Sequence, residues 1–148
     1  MKILESDGKI TIHINKNLPD LKDKESLEKY IKKLISLIKK KGVEIVSGLY
    51  IARIYQNYKY GLIIELEILE ELELFKDIID LKILVYENSK MYLEIDDYFL
   101  VGLNKKLRYN DKFYLNIDDL SDYDLISLLE FGNIIYGENI NNIELYGK

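Results

Sequence analysis

The sequence predicts an α+β fold: a mostly antiparallel, hairpin-built sheet with one long amphipathic helix packed on it and a short helix near the C-terminus. Apolar residues recur at spacings of three and four over residues 24–41, which predicts the long helix. Apolar and polar residues alternate through much of 43–119, and short turns rich in Asn and Asp interrupt the alternation. The chain has 148 residues, 48% of them hydrophobic, and this length predicts a single domain, 1–148.

The first strand and the long helix are predicted from the positions of their apolar residues. Three isoleucines alternate over residues 10–14 and share one strand face, so His13 lies on the opposite face, where we expect a surface histidine. Asp23 is the predicted N-cap of the helix, and Gly42 is the predicted stop. The helix carries an apolar stripe that requires a core to cover it: Leu27, Tyr30, Ile31, Leu34, Leu37 and Ile38.

A hairpin is predicted over residues 43–67, with its turn at 56–59. Glu65 and Glu67 share one face of its second strand at a separation of roughly 7 Å. Carboxylate pairs of glycosidases fall in a comparable range, but any wet strand face gives the same pattern. Residues 69–80 permit either an acidic helix or a loop, and a short helix is preferred.

An imperfect repeat is the clearest internal signal. Residues 84–97 are echoed by residues 107–119, and both copies carry an Asn at the centre of the predicted turn, Asn88 and Asn110. We therefore expect successive hairpins of one antiparallel sheet. After the repeat, Ser121 begins a predicted helix over about 121–131 that Gly132 ends. Residues 134–136 and 143–146 are the predicted final strands.

Tyrosines near the predicted turns are the candidate protein-binding residues. Tyrosine combines a large contact area with a low entropy cost, and it is enriched in protein interfaces. We expect these rings to gather on one exposed surface, with the alternative that they fill strand faces in a Tyr-rich sequence of 13 tyrosines. The candidates are Tyr55, Tyr58, Tyr60, Tyr86, Tyr109 and Tyr114.

The charge of the chain argues against a dedicated nucleic-acid binder. Its net charge is −5, whereas affinity for nucleic acid comes largely from neutralising phosphates. One basic strip on the exposed side of the long helix is nevertheless a candidate anion-binding surface, and contact with nucleic acid is an alternative function. The alternative interpretation of the strip is a solvated helix face. It consists of Lys29, Lys32, Lys33 and Lys40.

Few residues are available for catalysis or metal binding. The absence of Cys and the presence of one His exclude a thiol nucleophile, a Cys-ligated zinc site and sites that need two imidazoles from one chain. No phosphate-binding loop or nucleophile elbow occurs, so no cofactor is expected and an enzyme is not favoured. A carboxylate- or metal-dependent hydrolase stays an alternative through weak candidates at Asp96, Asp97, Asp118 and Asp119.

Three motifs near the C-terminus occur in a recognisable order: KFYL at 112–115, LLEFG at 128–132 and ELYGK at 144–148. They resemble the C-terminal domain of MecA-type adaptor proteins, in which a hairpin leads to a helix closed by Tyr-Gly and then to a Glu-x-Tyr-Gly-Lys strand. The likeness covers residues 109–148. It implies a protein of a low-GC Gram-positive bacterium that delivers substrates to a ClpC-type AAA+ unfoldase.

Together these features favour a non-catalytic protein-binding module, an adaptor or regulatory protein of a low-GC bacterium. The abundance of Ile, Lys, Asn and Tyr, which have AT-rich codons, agrees with such a genome. The expected partner is another protein, either an AAA+ unfoldase or a regulated client, and self-association stays open. No apolar segment is long enough to span a bilayer, so we expect a cytoplasmic protein.

Overall fold

The computed structural model describes residues 1–15, 19–72, 78–102 and 104–148. It confirms the α+β class, with 32% helix and 40% strand. The chain divides into two compact units, which are Met1–Gln56 with Gly61–Tyr86, and Asn57–Tyr60 with Glu87–Lys148. Two compact units can belong to one cooperative domain, so the single domain stays a prediction.

A five-stranded sheet and one helix form the first unit. The sheet has the order β1-β2-β4-β3-β5, in which β1–β2 and β2–β4 are antiparallel and β3–β5 is parallel. The hairpin of β3 and β4 agrees with the predicted one. The elements are β1 (Lys2–Ser6), β2 (Lys9–Ile14), α1 (Lys24–Lys40), β3 (Gly48–Asn57), β4 (Gly61–Glu71) and β5 (Ile79–Tyr86).

Helix α1 confirms the long amphipathic helix. The carboxylate of Asp23 accepts hydrogen bonds from the backbone N–H groups of Glu25 and Ser26, which satisfies two donors of the first turn. Leu37, which the spacing places in the apolar stripe, is instead 46% exposed. Each fully buried aliphatic side chain contributes roughly 1.5–3 kcal/mol. The buried residues that pack on the sheet are Leu27, Ile31, Leu34, Ile35 and Ile38.

A smaller antiparallel sheet and three short helices form the second unit. The sheet has the order β7-β8-β6-β9, and Tyr92, Tyr114 and Ile143 form a small core on one face of it. The elements are β6 (Tyr92–Ile95), α2 (Tyr98–Val101), β7 (Leu107–Tyr109), β8 (Lys112–Asn116), α3 (Asp122–Leu128), β9 (Asn133–Ile135) and α4 (Asn141–Tyr146). A 3₁₀ turn, Leu129–Phe131, continues α3, which agrees with the helix expected over 121–131.

The two copies of the repeat fold differently. Asn110 and Asp111 both have positive φ, and β7 and β8 pair around them as the predicted hairpin. Asn88 also has a positive φ, but the strands on either side of it lie in different sheets, so the second predicted hairpin and the single sheet are wrong. The reason is tertiary, because β5 pairs in parallel with β3 and packs Leu81 and Ile83 against the first core.

Two further predictions about secondary structure are corrected. Residues 143–146, expected as a strand, belong to helix α4, because Ile143 is needed in the small core and its neighbours Leu145 and Tyr146 face solvent. In a strand Ile143 and Leu145 would lie on the same face, so a helix accounts better for their different exposures. In the segment 69–80 the short helix is not found at either end, since strand β4 runs to Glu71 and β5 begins at Ile79. Residues 73–77 lie outside the described residues.

Candidate functional surface

The candidate tyrosines of the first unit, Tyr55 and Tyr86, lie side by side at the ends of two parallel strands. They are register partners in β3 and β5, and their rings stack with centroids 4.9 Å apart and an interplanar angle of 13°. Tyr86 is 42% exposed and Tyr55 is half-buried. Their stacking shows that part of this aromatic surface stabilises the sheet itself.

Tyr58 and Tyr60 lie on the turn between β3 and β4 and have opposite environments. Tyr58 is 81% exposed, whereas Tyr60 is buried. Burial raises the pKa of the Tyr60 phenol to about 12. Of these two tyrosines, only Tyr58 is therefore accessible to a partner protein.

Tyr109 and Tyr114 belong to the β7–β8 hairpin, with ring centroids 6.4 Å apart. The Tyr114 hydroxyl donates a hydrogen bond of 2.8 Å to Oε2 of Glu94, and the residue is buried. Burial, followed by this hydrogen bond, raises the pKa of Tyr114 well above its ordinary value. Because Tyr60 and Tyr114 are both buried, the expectation that all six rings gather on an exposed surface is wrong.

The predicted basic strip is exposed on α1. Lys32 forms an ion pair of 3.1 Å with Glu28 one turn earlier, and Lys29, Lys33 and Lys40 are exposed. The residues of the first unit comprise 14 basic and 14 acidic side chains, and those of the second comprise 7 and 12. The strip thus belongs to a unit without net charge, and the negative charge of the chain resides in the second unit.

Three of the four aspartates proposed as weak metal candidates have other partners in the second unit. Asp97 caps α2 by accepting a 2.9 Å hydrogen bond from the backbone N–H of Phe99. Asp118 accepts a 3.3 Å bond from the side-chain amide of Asn57, and Asp96 lies 3.8 Å from Nζ of Lys112. Asp119 is exposed in the 3₁₀ turn before α3. In the part of the chain that the structure describes, no three His, Asp or Glu side chains converge as metal ligands would.

The residues on the opposite face of the first sheet are more buried than predicted. His13 is 5% exposed, so the surface histidine is a wrong prediction, and its register partner Ile63 is fully buried. Burial first, and the nearby Lys2 second, lower the pKa of His13 to about 4. The buried carboxylate of Glu65 lies 2.8 Å from Nζ of Lys9. Strand alternation assigns residues to a face of the sheet, but it does not establish whether that face is exposed to solvent.

Glu67, the second carboxylate of the predicted pair, also has a basic neighbour. Its Oε1 lies 3.5 Å from Arg53. Both carboxylates on this face are thus engaged with cations across neighbouring strands, as expected for sheet-stabilising pairs.

A cavity of about 250 Å³ in the second unit is lined by ionisable side chains. One of them, Lys90, donates a 2.6 Å hydrogen bond to Oε2 of Glu144, and this bond raises the pKa of Lys90. Burial raises the pKa of Tyr92, another lining residue, whose hydroxyl lies 3.3 Å from the same carboxylate oxygen. Both shifts favour the protonated form, whereas a nucleophile or general base needs its proton removed near neutral pH.

Apart from Tyr58, the most exposed apolar residues of the second unit are ones that the sequence did not single out. Phe99 is 89% exposed, and its neighbour Tyr98 lies against Phe113 with ring centroids 5.6 Å apart. On α3, Tyr123 and Ile126 are 78% and 70% exposed, while Leu125 and Leu128 are buried on the opposite side. The sequence signal that could have identified Tyr123 and Ile126 is the spacing of the apolar residues, because it places apolar side chains on two sides of α3. Further exposed apolar residues are Phe131, Leu145 and Tyr146.

Comparisons with known proteins gave no relative. No protein-family model matches the chain, and neither the curated proteins nor the solved structures contain a significant match. Among the described residues, none of the helices has the length and the apolar character needed to cross a membrane.

Proposed function

We propose that the chain is a non-catalytic protein-binding module and that the apolar surface of its second unit contacts the partner. The observation that carries this proposal is the exposure of large apolar side chains on the three short helices, above all Phe99 at 89% and Tyr123 at 78%. Isolated exposed apolar residues are common on any protein. Among the described residues, eight of the thirteen exposed large apolar side chains lie in this unit of 66 residues, and exposed apolar patches mark interaction surfaces.

The chemistry of these side chains supports the same conclusion. Tyr and Phe are enriched in protein interfaces, and tyrosine is prominent among the residues that contribute most to affinity. Tyr98 is already held in place, because it contacts Phe113 edge-on and Nζ of Lys106 lies 5.2 Å from its ring centroid. A ring that is fixed before binding loses less conformational freedom when the partner arrives.

More specifically, we propose that the chain is an adaptor or regulatory protein in the cytoplasm of a low-GC bacterium. The resemblance of residues 109–148 to MecA-type adaptors supports it, with an AAA+ unfoldase or a regulated client as the partner. The helical conformation of Asn141–Tyr146 is a departure from that family, in which the corresponding motif forms a strand.

Site-specific photo-crosslinking tests the proposal in cells that naturally express the chain. A photoreactive residue is placed at Phe99 and, as the matched control, at Asn139, an exposed polar position of the same unit. We expect a discrete protein adduct from position 99 and none from position 139. Absence of any protein adduct from 99, with the variant folded and abundant, would overturn the proposal.

A further inference from the structure

We infer that the outer face of α3 binds an amphipathic, Lys- or Arg-rich segment of a partner protein. This inference rests on the proposed function, because it names the helix that makes contact and the chemistry of the partner. The outer face of α3 and of the 3₁₀ turn that continues it begins at Tyr123, with Asp122 beside it. Ile126, Ser127 and Glu130 follow three, four and seven positions after Tyr123. All five residues are exposed.

The centre of the outer face is apolar. Tyr123 and Ile126 present their side chains to solvent one helical turn apart, at 78% and 70% exposure. Ser127, the polar residue between them and Glu130, donates its hydroxyl to the backbone carbonyl oxygen of Tyr123 at 2.9 Å. Because that hydroxyl is already satisfied within the helix, an apolar partner surface can cover it at little desolvation cost.

The charged residues that flank the outer face in the sequence are all acidic. Residues 113–147 contain seven Asp and Glu and no Lys, Arg or His. Within the described residues, no ion pair joins Asp122 or Glu130 to a basic side chain, whereas Glu144 is paired with Lys90. A carboxylate at each end of the apolar pair therefore remains available to a cation. Such charge complementarity favours a partner that is positively charged around an apolar centre.

The dimensions limit the partner segment. Glu130 lies seven positions after Tyr123, which corresponds to about 10 Å along the helix axis. A helical segment with two adjacent apolar residues and a Lys or Arg on either side matches this length. Helix α1 of a second copy matches less well, since its outer face carries the basic strip but only Leu37 as an exposed large apolar residue.

Binding of a synthetic peptide tests the inference. The probe is an amphipathic Leu/Lys helix of roughly 15 residues, and its control has Glu in place of every Lys. Fluorescence anisotropy compares the full chain with Ile126→Ser, with the double variant Asp122→Asn/Glu130→Gln, and with Leu37→Ser as a control at an exposed apolar position on helix α1 of the first unit. Circular dichroism and urea midpoints verify that each variant is folded.

We expect the Leu/Lys peptide to bind and the Leu/Glu peptide not to bind. Ile126→Ser weakens binding by about ten-fold or more, since one buried aliphatic contact is lost. In the double variant, affinity falls less between about 50 and about 200 mM NaCl than in the parent chain, because the charges that salt would screen have been removed. Leu37→Ser changes the affinity little. Equal binding of both peptides, equal effects of Ile126→Ser and Leu37→Ser, or concentration-dependent self-association abolished by Ile126→Ser would overturn the inference. If photo-crosslinking at position 99 nevertheless gives a protein adduct, any of these results overturns the inference about α3 and leaves the proposed protein-binding function intact.

Discussion

The side-chain amide of Asn57 donates a 3.0 Å hydrogen bond to the backbone carbonyl oxygen of Ser89, a residue 32 positions later in the chain. The carbonyl oxygen of the same side chain accepts from the backbone N–H groups of Lys59 and Tyr60 at 2.9 and 3.0 Å. Nζ of Lys59 also donates to the backbone carbonyl oxygen of Leu120. One buried asparagine therefore shapes the turn between β3 and β4 and attaches it to the rest of the second unit.

Replacement of this asparagine is expected to be costly. Asn57→Ala removes three hydrogen bonds between this buried side chain and the backbone groups of Lys59, Tyr60 and Ser89, so we expect the free energy of unfolding to fall by about 2–3 kcal/mol. Urea denaturation measures the change. The control is Tyr58→Ala at the adjacent exposed position, where we expect a change within about 0.5 kcal/mol. Equal effects of the two variants would contradict the role of Asn57.

The single histidine permits a direct measurement of its pKa. His13 is held neutral by burial, so its imidazole proton resonances should titrate with a midpoint near 4 rather than near the ordinary 6.5. In the unfolded chain the imidazole takes up a proton at about pH 6.5. Stability is therefore fully present above pH 6.5 and decreases, by at most about 3 kcal/mol, as pH falls towards 4.

A variant separates this effect from the titration of carboxylates. His13→Gln removes the group, so the free energy of unfolding should depend less on pH between about 4 and 6.5 than in the parent chain. A nuclear magnetic resonance midpoint near 6.5, or an unchanged slope in the variant, would show that the imidazole is accessible to protons.

The buried phenol of Tyr60 predicts a loss of stability at alkaline pH. Its pKa is raised from 10.0 to about 12, so the unfolded chain releases the proton at lower pH than the folded chain does. The stabilisation is complete below pH 10 and is lost as pH rises towards 12, with a magnitude of up to roughly 2–3 kcal/mol. Denaturation of the parent chain and of Tyr60→Phe at pH 8, 10 and 11 measures it, with a smaller decline in the variant. Parallel declines would place the titrating group elsewhere.

Two glycines with positive φ provide a matched pair for a steric prediction. A Cβ at Gly61, with a φ of +120°, would lie 2.3 Å from the backbone oxygen of Ile14. At Gly42, with a φ of +94°, no heavy atom would lie within 4 Å. We expect Gly42→Ala to cost about 1 kcal/mol, the usual conformational penalty, and Gly61→Ala to cost roughly 3 kcal/mol or more. Thermal denaturation of both variants provides the comparison, and a smaller cost for Gly61→Ala would contradict the close strand contact.

Local signals of the sequence predicted the elements of this fold better than their assembly. The spacing of α1, its Asp23 cap and the turn at Asn110 depend on neighbouring residues, and all three are found as expected. The pairing of β5 with β3 depends on long-range packing, which the same turn chemistry at Asn88 could not reveal. For this reason the class was predictable, whereas the division into two sheets was not.

The candidate surface was predicted less well, and the reason is the same. Turn position indicated which tyrosines to consider, but burial of Tyr60 and Tyr114 depends on distant residues such as Glu94. Ile126 was visible in the sequence as an apolar residue on the side of α3 opposite Leu128. Only the structure shows that this side of the helix is exposed to solvent and that Ile126 is therefore available to a partner.

The most direct test of the central claim measures partner capture by two double variants of the tagged chain. The first, Phe99→Ser/Tyr123→Ser, removes two of the most exposed aromatic residues of the second unit, and the second, Lys29→Ser/Lys33→Ser, removes half of the basic strip on α1. Quantitative mass spectrometry compares the co-purified partner with that of the parent chain. We predict a loss of about ten-fold or more for the aromatic variant, as expected when interface anchors are removed, and a retained partner for the basic variant. Loss of the partner from the basic variant, with full retention by the aromatic one, would contradict the account.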